Sequence, residues 1–273
     1  MRVYTTPSDR EAANLSTAAL RSQFLVEGLF QSGRLELANT GLDRMVIGGA
    51  VPVGEPLALP PMAEFGTGSF AERREVGILN IGQAGEVSVD GTVFRLENLD
   101  GLYVGAGHRE IVFLNGGSPA VFYLASCPAH CPYPTRLIRH EDVAAEALGF
   151  ARSASRRWLR KYIHPGGVSS AQLVMGYTEV PEGSVWNTMP PHTHACRTEV
   201  YLYFDLGEGV VVHLMGRPEE TRHLVVRDRE AVLSPSWSLH AGAGTGPYRF
   251  VWAMAGENQS FHNVDPVDLA GLR

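Results

Sequence analysis

Two long stretches of short apolar runs, broken every few residues by Gly, Pro or Asp, limit what this chain can fold into. In the first stretch the candidate strands cover residues 45–49, 75–81, Gly85–Val89, Thr92–Leu96, Gly101–Val104, Ile111–Leu114 and 120–124, and Asp90-Gly91 is a hairpin signal. In the second they cover 172–180, 200–205, 210–215, 221–226, 231–233, 237–241 and 248–254. Thirty Gly and seventeen Pro in 273 residues supply the turns that an all-β sandwich or barrel needs.

The remaining segments frame these two stretches. Residues 9–30 read as a helix, with Asp9 as N-cap and Leu15, Ala18, Leu20, Phe24, Leu25 and Leu29 as a loose apolar stripe. Its expected role is packing over a barrel or across a subunit interface. A strand-like run follows at 34–38. Residues 134–165 read as a short helical or linking segment, with a basic cluster at Arg156, Arg157, Arg160 and Lys161. Such a cluster is ordinarily a solvated face, and here it is also a possible anion contact. A weak repeat joins the halves: Glu75-Val76 has Gly85 ten residues on, and Glu199-Val200 has Gly209 ten residues on. The chain therefore reads as a duplicated barrel, with an N-terminal domain at 1–150 lacking a metal and a C-terminal domain at 151–273 holding one.

Composition narrows the function. An apolar fraction of 44% with 19% charged residues fits a well-developed core. A net charge of −6 argues against nucleic acid as the main partner, yet leaves room for an anionic substrate held by one or two cations. No apolar run approaches the ~18–20 residues that span a bilayer, so no membrane association is expected. The polar start lacks a signal-peptide core, and three Cys give no disulfide framework, so the expected location is the cytoplasm.

The chemistry concentrates in Pro190-Pro191-His192-Thr193-His194-Ala195-Cys196-Arg197-Thr198-Glu199 and, much later, His240. On a strand, His192 and His194 leave the same face. With Glu199 and His240 they form an N/O ligand set suited to Zn, Fe(II), Mn or Ni, contributed by strands that can converge in a barrel mouth. Cys127-Pro128-Ala129-His130-Cys131 lacks the partner cluster of a structural zinc, and its cysteines read as ordinary thiols. No Gly-x-Ser-x-Gly elbow, phosphate-binding loop or dinucleotide fingerprint is present.

The residues around this set carry a resemblance over nearly the whole chain. Trp186-Asn187-Thr188-Met189-Pro190, His192-Thr193-His194, Glu199-Val200-Tyr201-Leu202-Tyr203-Phe204, His213-Leu214-Met215-Gly216, Ser234-Pro235-Ser236-Trp237-Ser238 and Gly256-Glu257-Asn258-Gln259 resemble the 5-dehydro-4-deoxy-D-glucuronate isomerase family. The resemblance implies an all-β double-stranded β-helix fold: two cupin barrels of jelly-roll type, with an N-terminal helix and a short helical linker. It also implies a homohexamer, and one Zn(2+) per subunit held by His192, His194, Glu199 and His240. The implied reaction isomerises a small keto sugar acid to 3-deoxy-D-glycero-2,5-hexodiulosonate in pectin breakdown. For the proton transfer such a reaction needs, Glu257 is the first candidate, with His223 and Tyr201 behind it. Arg222 and Arg197 are the candidates for the substrate carboxylate, because Arg presents a bidentate fork. Three alternatives stay open: an isomerase of the 5-deoxyglucuronate type, an Fe-dependent dioxygenase, and a sugar-binding module without turnover.

Overall fold

The structure is a computed structural model that describes residues 1–117 and 119–273. Four β-sheets stack as two barrels back to back. The first barrel closes a seven-stranded sheet, in the spatial order Arg2–Val3, Arg34–Asn39, Val46–Val51, Phe122–Pro128, Arg74–Asn80, Gly101–Val104 and Arg136–Ile138. Against it lies a four-stranded sheet of Leu57–Ala58, Ile111–Leu114, Gly85–Val89 and Thr92–Leu96. The second barrel repeats the plan. Its seven-stranded sheet runs Glu146–Leu148, Arg157–Ile163, Val174–Val180, Tyr248–Gly256, Arg197–Phe204, Ala231–Ser234 and Leu25–Val26. Its five-stranded sheet runs Glu220–Val226, Val211–Arg217, His240–Gly244, Trp186–Thr193 and Asp265–Pro266. This is the all-β, jelly-roll architecture expected from the turn-punctuated strands.

Three cores follow from this stacking. Val76, Ile78, Val87, Phe113 and Phe122 fill the first barrel. Tyr203, Met215, Leu224, Phe250 and Trp252 fill much of the second. Leu79, Tyr123, Met175, Val200, Leu202 and Val251 form the third, between the two seven-stranded sheets. Strand Arg197–Phe204 is buried along its full length. A strand covered on both faces needs apolar residues at both parities, which is why Val200-Tyr201-Leu202-Tyr203-Phe204 shows no alternation. The two sheets approach closely at Gly77, where a Cβ would lie 2.8 Å from Ile163 and 2.9 Å from Leu173.

Two expected helical segments form differently. Instead of one helix over 9–30 there are two, Asp9–Ala13 and Thr17–Phe24. Ser8, not Asp9, is the first N-cap; it forms a capping box with Glu11, and Ser16 caps the second helix. Leu25–Val26 then leaves the helix to pair with Val232 and Ala231, so sheet hydrogen bonds displace the helical tendency of this run. The segment 134–165 holds no α-helix. It consists of 3₁₀ turns at His140–Asp142 and Ala151–Ser153 between strands Arg136–Ile138, Glu146–Leu148 and Arg157–Ile163. The Asp100 carboxylate accepts from the Arg139 guanidinium at 2.6 Å and from the His140 N–H at 2.8 Å, fixing the chain before it can wind. Strands Leu25–Val26 and Glu146–Leu148, which lie within the 1–150 range expected for the first domain, both belong to the second barrel.

Candidate metal centre

The second barrel gathers its polar chemistry at one mouth. Strand Trp186–Thr193 pairs with His240–Gly244, but three extra residues bulge out between the pairs Asn187–Gly242 and His192–His240. The bulge holds Thr188 at φ +47°, a conformation that β-branched residues rarely adopt. It brings His192 directly opposite His240. His194 follows one residue past the end of that strand, and Glu199 comes from the facing sheet, opposite Ser234 and Met254.

The four side chains meet. His192 Nε2 lies 3.1 Å from His194 Nε2 and 3.1 Å from His240 Nε2. Glu199 Oε2 lies 3.2 Å from both His194 Nε2 and His240 Nε2. His194, Glu199 and His240 are buried, with 4%, 4% and 1% exposure. Burial holds His192 neutral, its pKa pushed down to about 3, and holds His240 well below the usual histidine range. The outer ring atoms are tethered: His194 Nδ1 donates to the Asn263 carbonyl at 3.3 Å, and His240 Nδ1 sits 3.1 Å from Ser234 Oγ. The three Nε2 atoms converge with one carboxylate oxygen, and the Nδ1 tethers free the Nε2 lone pairs of His194 and His240 toward that point. Three imidazoles and a carboxylate at this spacing fit a divalent ion with bonds of about 2.0–2.2 Å. Among the described residues no other His, Cys, Asp or Glu group converges in this way. The Cys127–Cys131 segment holds only free thiols; the buried Cys127 thiol donates to Glu75 Oε1 at 3.4 Å.

Beside the cluster lies a cavity of about 140 Å³, walled on its apolar side by Phe250, Trp252, Met254, Phe261 and Val264. Tyr201 lines it, its ring 5.1 Å from that of His240. Burial, and after it the Glu199 charge, push the Tyr201 phenol well above its ordinary value. The other candidates from the sequence stand elsewhere. Glu257 is exposed and does not line the cavity; it follows Gly256, the end of its strand, and its N–H bonds to the Cys196 carbonyl. His223 is exposed because its parity on Glu220–Val226 is opposite to that of the core residues Leu224 and Val226. The Arg222 guanidinium donates to the carbonyls of Ala12, Ala13 and Leu15, closing the end of the first helix. Arg197 is 2% exposed and donates to the carbonyls of Ser260 and Asn263, pinning the loop that carries Phe261. Neither arginine faces the cavity. The cation that does is Arg157, which the sequence showed only as one member of a basic cluster. The signal that singles it out is parity, since Arg157 alternates with exposed Trp158 and buried Leu159.

Residues 52–270 match the profile of the KduI/IolB family. The chain belongs to the KduI/IolB family. It is 52% identical, over the full length of both chains, to a 4-deoxy-L-threo-5-hexosulose-uronate ketol-isomerase from Opitutus terrae, and 47% identical to another from Lachnoclostridium phytofermentans, again at full length. Among solved structures, an IolB-like protein from Salmonella typhimurium LT2 superposes with a TM-score of 0.75 at 17% identity, covering 89% of this chain and 96% of its own. An oxalate decarboxylase from Lactobacillus farciminis gives 0.58 at 12% identity over 89% of each chain. These two show the shared fold. This member of the family is an enzyme, a ketol-isomerase.

Proposed function

We propose that the enzyme isomerises 4-deoxy-L-threo-5-hexosulose uronate (5-dehydro-4-deoxy-D-glucuronate) to 3-deoxy-D-glycero-2,5-hexodiulosonate in uronate breakdown, using one zinc ion per subunit. The observation that carries this reading is the four-donor cluster opening onto a cavity in a chain so similar, end to end, to ketol-isomerases of that name. His192, His194, Glu199 and His240 would hold the metal. A divalent ion there supplies Lewis acidity toward a carbonyl oxygen. The chain's own part is orientation and exclusion. Asn263 and Ser234 fix two of the imidazoles, Phe250, Trp252 and Phe261 keep bulk water from the reacting carbons, and Tyr201 holds a proton at Oη beside Glu199. By the same resemblance, the working assembly is a homohexamer in the cytoplasm.

The test is direct. Purified enzyme should contain one equivalent of zinc, convert the keto-uronate, lose turnover on chelation and regain it with zinc. Metal-replete enzyme that leaves the keto-uronate unchanged would overturn the reading.

A further inference from the structure

The cavity beside the metal cluster contains a single Lys or Arg. Arg157 extends into it from strand Arg157–Ile163, on the same face as buried Leu159. Its guanidinium has five donors and makes one protein hydrogen bond, from Nη1 to the Ser155 carbonyl at 3.0 Å. Among the described residues no carboxylate pairs with it. The one acidic residue lining the cavity is Glu199, whose oxygen faces His194 and His240. Neighbouring cations are already engaged: Arg160 donates to the Val143 carbonyl, and Lys161 pairs with Glu146 at 3.0 Å. Burial pushes the Arg157 pKa down, which marks a charge held against an apolar wall without a full counter-charge.

We propose that Arg157 is the anion site of the pocket and binds the substrate's carboxylate, a role that rests on the uronate reading above. A guanidinium fork matches a carboxylate with two parallel hydrogen bonds, and Arg157 lines the cavity that opens beside the cluster. A uronate would then lie with its acid end on Arg157 and its carbonyl end toward the four donors. Neutral ketoses of the same length lack the first contact. This gives the pocket, whose apolar wall includes Leu148, Phe250, Trp252 and Met254, its selectivity for acids.

The experiment compares wild type with Arg157→Gln and Arg157→Lys as full-length, zinc-loaded enzymes. Two readouts are taken: KM and kcat on the keto-uronate, and equilibrium affinity for D-glucuronate and for neutral D-glucose in chelator-treated protein. Loss of a charge-assisted fork should raise KM about 30- to 100-fold in Arg157→Gln, with zinc content and melting temperature unchanged. Arg157→Lys, a point charge without the fork, should fall between. Glucuronate affinity should drop in parallel, while the weak affinity for glucose stays the same. KM within threefold of wild type, a glucuronate affinity indifferent to the substitution, or wild type that does not distinguish glucuronate from glucose would each overturn the proposal. Should wild type bind glucuronate through Arg157 yet leave the keto-uronate unchanged, the anion site stands and the reaction assignment falls.

Discussion

Glu75 is a carboxylate with no measurable exposure and no cationic partner, and its removal should destabilise the fold more than loss of any surface charge. It lies between the barrels. Its oxygens accept from Tyr103 Oη at 2.7 Å and from three consecutive backbone N–H groups, Ala171 at 2.6 Å, Gln172 at 2.8 Å and Leu173 at 2.7 Å. The substitution Glu75→Ala leaves these four donors, and the weaker Cys127 thiol, without an acceptor, at about 1–3 kcal/mol for each of the four that stays dry. The terms are not additive, because the emptied space can admit water and the 170–173 segment can shift. A net loss of about 4 kcal/mol is the expectation, near the top of the range for single substitutions. For a chain of this size that corresponds to a melting temperature lower by about 8–16 °C. Glu75→Gln keeps one acceptor but turns an NH₂ toward donors, so it should lose about half as much. Tyr103→Phe removes one donor together with its hydrogen bond and should cost about 1 kcal/mol. Scanning calorimetry of chelated protein measures all three without a metal contribution. A Glu75→Ala variant that melts within 2 °C of wild type would refute the view that this carboxylate organises the interface.

Two further outcomes follow from the same coordinates. Arg222→Ala should leave KM unchanged and cost about 1–2 kcal/mol through three freed carbonyls at the end of the first helix; a tenfold rise in KM at constant melting temperature would return Arg222 to the substrate site. His213, fully buried with Nδ1 at 2.8 Å from Tyr203 Oη, is held neutral by burial, its pKa pushed down to about 3. Its unfolded imidazole takes up a proton near pH 6.5, so the unfolded chain binds more protons between pH 6.5 and 3 and stability falls as pH drops through that window, by about 2 kcal/mol at pH 5. In urea titrations of chelated protein, His213→Gln should therefore lose less stability between pH 7 and pH 5 than wild type does; an identical loss would show that this imidazole is not the source.

What the sequence made legible was set by chemistry that is local in the chain. Turn residues between apolar runs gave the strands, and the spacing of His192, His194 and Glu199 marked side chains that do meet in space. His240 was grouped with them as a distant histidine of matching chemistry, but its pairing opposite His192 depends on a bulge that no spacing reveals. The arginines were misjudged for a physical reason. A guanidinium's role is fixed by which acceptors lie within reach: Arg222 found helix carbonyls and Arg197 found loop carbonyls, both supplied by segments distant in sequence. Arg157 looked like surface charge because its strand was read as linker, and without a strand there is no parity to turn it inward. The helix over 9–30 failed at Leu25 in the same way, where pairing with Val232 outweighed the local preference.

The repeat between the halves is a repeat of architecture, but its two glutamates do not face the same way. Val76 belongs to the interior of the first barrel, so Glu75 faces the interface between the barrels. Val200 belongs to that interface, so Glu199 faces into the second barrel and meets the imidazoles. A shift of one residue moves every side chain of a strand to the other face, and here it separates a structural carboxylate from a metal-facing one. In the first barrel the inward neighbour of Val76 is Arg74, whose buried guanidinium donates to Ser126 and to the Arg44 carbonyl and lies over the Phe65 ring. A fixed cation at that position would oppose a dication, where the second barrel presents the Glu199 carboxylate instead. The first barrel still touches the site through hydrogen bonds. Glu75 holds the N–H groups of 171–173, Ser170 Oγ donates to the Leu173 carbonyl and accepts from Gln259 at 2.6 Å, and the loop beyond Gln259 carries the Asn263 carbonyl that orients His194. Substitution of Glu75 should therefore loosen the segment that orients one imidazole, even though all four clustered donors belong to the other barrel.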